Sequence, residues 1–186
     1  VMFHDAEHGL ALIEALARHG NGLPANVLPV EVNEVTQVGL EAVAAAHAYG
    51  ASAVRLLTRA KARHDIAGLK KTIELAQPIL TELGFAGARV EAIETDDPDG
   101  LDEALRGIGS LDPTLKPATF VPTGNKREVM RLALRELHAA APSPIDIVPL
   151  PEGAPFGTIE VRVEGCTLCL SCVSACPTGA LSDDPE

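Results

Sequence analysis

Short apolar runs and amphipathic stretches follow one another along residues 1–150 with only a few residues between them, and few architectures accommodate that alternation. Val1–His4, Val27–Val32, Ala53–Thr58, Val90–Glu94 and Thr119–Val121 read as strands. Each is short and largely apolar, and each is followed by a helix-period stripe. Leu10, Ile13, Leu16 and Ala17 mark the first stripe, which ends at Gly20 and Gly22; Val35, Val38, Ala42, Ala45 and Tyr49 mark the second. Ile66, Leu69, Ile73, Ala76, Leu80 and Leu83 mark a long third helix, which Pro78 is expected to kink or split. Asp97-Pro98 has the form of an N-cap followed by Pro at the first helical position, opening Asp99–Ile108. Asn125 and Glu128 have capping-box spacing ahead of Val129, Ala133 and Leu137, and Ile145–Val148 is a candidate last strand. The pattern predicts a doubly wound, mostly parallel α/β sheet with helices on both faces. Pro29 lacks an N–H and belongs on an edge strand, a demand that a flavodoxin-like order 2-1-3-4-5 meets.

Past residue 141 the texture changes. Pro142, Pro144, Pro149, Pro151 and Pro155, with Gly153 and Gly157, make an extended connector, so the chain divides into an α/β domain over 1–150 and a second segment over 151–186. In that segment Thr158–Val163 alternates as a strand, and Thr178–Leu181 reads as a short helical turn. Between them all four cysteines fall within eleven residues, as Cys166-x2-Cys169-x2-Cys172-x3-Cys176-Pro177. That is the ligand spacing of bacterial ferredoxins, in which a tight loop aims each thiolate at a different iron of one 4Fe–4S cubane. It predicts the C-terminal half of a ferredoxin-like module with Cys166, Cys169, Cys172 and Cys176 as ligands. In two-cluster ferredoxins the fourth cysteine of such a run serves the other cluster, so Cys176 is a candidate for a second cluster completed outside this chain. The remaining ligands are then expected beyond Glu186. A four-cysteine zinc module is the alternative, although zinc sites usually join two C-x2-C hooks across a longer insertion. Paired disulfides are disfavoured in one short loop, and clustered cysteines of this kind point to a reducing, cytoplasmic setting.

Charge and composition exclude several classes. Fifteen Lys+Arg against 26 Asp+Glu leave −11, the wrong sign for a phosphate backbone, and 3% aromatics leave little to stack on bases. An acidic surface suits docking on a basic patch of a redox protein. No apolar run approaches the ~20 residues of a membrane span.

Other polar groupings have ordinary explanations beside functional ones. His4, Asp5, Glu7 and His8 crowd the carboxyl end of the first strand, where sheets of this class bind ligands, yet Asp5 is also a natural helix cap and His8 reads as exposed. Glu31, Asn33 and Glu34 occupy the neighbouring strand end. Thr123–Arg127 opens a helix with two cations and is a candidate anion site, but it lacks a P-loop, and Asn125 is explained by capping. Arg55, Arg59, Lys61 and Arg63 read as a solvated basic face, and His47 as a surface residue. No nucleophile–base pair can be nominated, so the chain reads as an electron carrier or redox subunit without its own catalytic site.

At Asp5-Ala-Glu-His8-Gly9, Gly22-Leu-Pro24, Glu31-Val-Asn33, Leu150–Pro155 and the Cys166–Pro177 run, the chain resembles large bacterial multi-cluster 4Fe–4S proteins associated with formate dehydrogenase systems. A fainter likeness links its α/β part to hydrogenase iron–sulfur delta subunits. The resemblance implies electron transfer through clusters held by Cys166, Cys169, Cys172 and Cys176, with a formate dehydrogenase-type oxidoreductase as partner. A flavin- or nucleotide-binding α/β module coupled to a cluster is the alternative.

Overall fold

The computed structural model describes residues 1–109, 111, 116–152, 154–157, 160–177 and 179–183. They divide into two compact units, Val1–Glu152 and Gly153–Glu186.

The first unit is α/β. Its strands are β1 (Met2–His4), β2 (Pro29–Glu31), β3 (Val54–Thr58) and β4 (Val90–Glu94), all parallel and in the order β2-β1-β3-β4. Pro29 lies opposite Met2 on edge strand β2, where its missing N–H breaks no interior ladder. Every residue of β3 is buried because this strand has neighbours on both sides and helices on both faces. Edge strands β2 and β4 keep some positions open to solvent.

Two apolar clusters form, one on each face. Met2, Leu57 and Ile93 pack with Leu12 and Leu16 of α1 (Gly9–His19) and with Leu101 and Leu105 of α4 (Pro98–Arg106). Phe3, Val54, Leu56 and Val90 pack with α2 (Leu40–Ala48), α3 (Ala67–Glu82) and α5 (Lys126–Ala139). Alternate residues of one strand therefore feed opposite layers: Leu56 faces one cluster and Leu57 the other. Burying each such side chain stabilises the fold by roughly 1.5–3 kcal/mol.

Several expectations need correction. The buried face of α1 centres on Gly9, Leu12 and Leu16, and Ala17 is exposed. Pro78 does not split α3, which runs unbroken from Ala67 to Glu82. Tertiary packing of Leu75, Ala76, Ile79 and Leu80 on both sides of the proline holds the helix together across the lost hydrogen bond. Thr119–Val121 forms no fifth strand. Ala118 N–H donates to Ala48 O, Tyr49 hydroxyl donates to Phe120 O, and the two rings stack at 5.0 Å, so this stretch is held by the end of α2 instead of a sheet edge. Ile145–Val148 is likewise not a strand. His47 is buried at 2% exposure instead of lying on the surface.

Among the described residues the second unit has a 3-10 turn at Val163–Gly165 and one short helix, α6 (Ser171–Ala175). Residues 160–163 are not a strand, and Thr158 and Ile159 lie outside the described residues. The helical turn expected at Thr178–Leu181 is absent from 179–181, and Thr178 lies outside the described residues. The helix falls inside the cysteine run instead.

Candidate iron–sulfur site

The cysteine run is built as turn, loop and helix. The 3-10 turn ends at Gly165, and Cys166 N–H closes it on Val163 O. The loop from Cys166 to Leu170 then carries two leucines in the left-handed region, Leu168 at φ 54° and Leu170 at φ 57°, on either side of Cys169. Neither is a glycine, and each such residue costs on the order of 1–3 kcal/mol. Conformations of this kind persist at ligand clamps, where left-handed residues turn successive N–H groups into a concavity that suits an anion. Leu170 also serves as the N-cap of α6, which carries Cys172; the chain leaves that helix at Cys176.

None of the four cysteines is in a disulfide; three are exposed and Cys176 is partly covered. Cys169 Sγ lies 3.2 Å from Ser171 Oγ. The Ser171 hydroxyl, then its backbone N–H and the Thr167 hydroxyl, favour the thiolate and bring the Cys169 thiol down to about 7. Ala180 N–H donates to Cys176 Sγ at 3.2 Å. Donors aimed at sulfur stabilise electron-rich thiolate, the form that ligates iron. Among the described residues no group of three or more His, Cys, Asp or Glu side chains is placed so that it could hold a metal ion, so the four cysteines are not gathered into a finished ligand set. A cubane takes one thiolate at each iron, and four cysteines outside any disulfide, with N–H and O–H donors beside Cys169 and Cys176, have the chemistry it needs. The sequence foretold the thiols. Ser171, Ala180 N–H and the two left-handed leucines were missed, because backbone conformation and a hydroxyl two residues away carry no motif.

The other groupings are mostly structural. Asp5 Oδ1 accepts the N–H groups of His8 at 2.5 Å and Gly9 at 3.1 Å, the expected cap of α1. Burial pushes the Asp5 carboxyl up, but those two N–H groups and the charges of His8 and Arg59 outweigh it, and the net shift is down. A Cβ at Gly9 would sit 2.5 Å from His4 Cβ, so only glycine lets α1 start this close to the end of β1. His8, read as exposed, is buried, with Nε2 3.0 Å from Asp96 Oδ1 in the loop after β4. His4 is also buried, with Nδ1 3.1 Å from Asp5 O. Glu34 Oε1 accepts from Thr36 N–H and hydroxyl at 3.2 and 3.0 Å, while Glu31 and Asn33 are exposed.

Asn125 and Glu128 form the full capping box, and Lys126 pairs with Glu41 at 3.2 Å. The basic face does not exist as one surface. Arg55 is buried on β3, where its guanidinium donates to Val54 O and Ala88 O and pairs with Glu91 at 3.1 Å. Strand alternation and the neighbouring chain decide this, since an arginine at a sheet end can satisfy several carbonyls at once. No helix among the described residues is long and apolar enough to cross a membrane.

Comparison with known proteins gives one family match. Residues 159–182 match the model of a 4Fe–4S binding domain. No curated protein and no solved structure matches the chain. The matched stretch contains every cysteine of the sequence, and the segment that carries them is a 4Fe–4S cluster-binding segment.

Proposed function

We propose that Cys166, Cys169, Cys172 and Cys176 hold the cluster, and that the chain relays single electrons to or from a partner oxidoreductase. The observation that carries this reading is the C-x2-C-x2-C-x3-C-P run inside the matched stretch. When bound, such a cluster accepts one electron from a donor protein and passes it to an acceptor. The chain's part is to present thiolates with hydrogen-bond donors at Cys169 and Cys176, and to flank the run in sequence with acidic groups such as Glu164 and Asp183 that oppose further negative charge. Cys176 is the ligand to a second cluster if the module is of the two-cluster kind.

The α/β domain over 1–150, flavodoxin-like in its arrangement, serves as the carrier of the cluster-binding segment over 151–186. The sequence resemblance supports a formate dehydrogenase-type partner, and the clustered thiols support a cytoplasmic setting. The test is iron and acid-labile sulfide analysis with EPR after anaerobic reconstitution, on the wild type and on Cys169→Ser, Cys172→Ser and Cys176→Ser. Loss of about one cluster in each variant supports four ligands to one cubane. Full iron in all three variants, or zinc in place of iron in the wild type, defeats the assignment.

A further inference from the structure

The crevice at the carboxyl ends of β1 and β3 has a charge pattern that the electron-transfer reading does not use. In the order β2-β1-β3-β4 the chain leaves β1 toward one side and reaches β3 on the other, so this crevice is the topological switch point, where sheets of this class bind small molecules. It encloses about 100 Å³. At ~30 Å³ per water that is room for about three waters, well below the roughly 300–1,000 Å³ of sites for flavins and other drug-sized ligands.

Its lining is sorted by sign. Asp5 and Glu7 from the β1–α1 turn, with Glu34 from the loop after β2, supply carboxylates; Arg59, Arg63 and His64, all from the β3–α3 loop, supply the basic groups. Asp5, Glu34 and Arg59 are half-buried, and the other three form an exposed rim. Among the described residues no ion pair within 4.0 Å joins the two sides. A phosphate is a poor occupant, because the helix N–H groups that would cradle it already donate to Asp5 Oδ1, and two further carboxylates stand beside it. A simple cation meets the arginines. A ligand bearing both signs a short distance apart satisfies both sides and displaces only a few waters.

We propose that this crevice binds a small zwitterion of the α-amino acid class, its carboxylate against Arg59 and Arg63 and its ammonium against Asp5 and Glu34. This proposal is independent of the cluster: it predicts binding whether or not iron is present. The test is anaerobic isothermal titration calorimetry of the intact holoprotein with glycine and L-alanine, using acetate and methylammonium as the two half-molecules. Saturable binding of an amino acid is expected, at least tenfold tighter than either half. Arg59→Gln and Glu34→Gln should each weaken it at least tenfold; the glutamine keeps an oxygen for Thr36, and unchanged far-UV circular dichroism certifies the fold. Absence of saturable heat with both amino acids up to 50 mM overturns the proposal. So does acetate binding as tightly as glycine, which would make the crevice an anion site, and so does unchanged affinity in both folded variants.

Discussion

Replacing His47 with asparagine should remove most of one component of this protein's acid sensitivity. His47 sits on α2 at 2% exposure, with Nδ1 2.8 Å from Ala51 O, the geometry of a neutral ring donating N–H to a carbonyl. Burial is the main force against charging it; the Ala51 carbonyl favours the cation, while the nearby charges of Arg89, the N-terminus and Arg55 oppose it, and the imidazole falls to about 4. In the unfolded chain the same group titrates near the ordinary ~6.5. Between those values the unfolded state binds the proton and the native state refuses it. Stability from this residue is therefore complete above ~6.5 and declines as pH falls toward 4. At 1.36 kcal/mol per pKa unit the full effect is roughly 3 kcal/mol, of which about 2 is gone by pH 4.5. Carboxylates titrate in the same range, so the informative quantity is a difference of differences. Urea unfolding followed by far-UV circular dichroism, at pH 7 and pH 4.5 on wild type and His47→Asn, provides it. The variant loses core packing at both pH values, but its loss between them should be about 2 kcal/mol smaller than that of the wild type. Equal pH losses in the two proteins, within about 0.5 kcal/mol, would refute the buried neutral imidazole.

Three further outcomes are expected. Leu101→Ala, at a side chain with 0% exposure between α4 and the sheet, should cost about 2–5 kcal/mol and lower the midpoint of thermal unfolding, whereas an effect below about 1 kcal/mol would mean that α4 is not seated there. Asn125→Ala should cost about 1 kcal/mol by denaturant titration, since it removes the acceptor for Glu128 N–H at the start of α5; no change would show that water replaces the cap. Protein-film voltammetry of the reconstituted protein should give a midpoint below zero millivolts, because Glu164 and Asp183 disfavour the added electron, and a positive midpoint would contradict that electrostatic reading.

The sequence alone determined what is local. Strand β4 begins and ends at Val90 and Glu94 as read, the Asn125–Glu128 box opens α5, Asp97 and Pro98 open α4, and the cysteine spacing announced the 4Fe–4S binding segment. Each of these rests on residues within a few positions of one another, where capping, periodicity and ligand reach act directly. Pro29 even placed its strand at the edge, since a missing N–H is intolerable in mid-sheet. Tertiary structure alone decided which polar side chains went inside. Arg55, His8 and His47 were read as surface residues and are buried, because their partners are Glu91 and Ala88 across the sheet, Asp96 in a distant loop, and a carbonyl that only the end of α2 brings near. It also left Thr119–Val121 out of the sheet, since β-propensity names a possible strand while the ring of Tyr49 and the carbonyl of Ala48 supply the contacts that hold this stretch elsewhere. Burial and long-range pairing are properties of neighbours in space, and a linear pattern does not contain them.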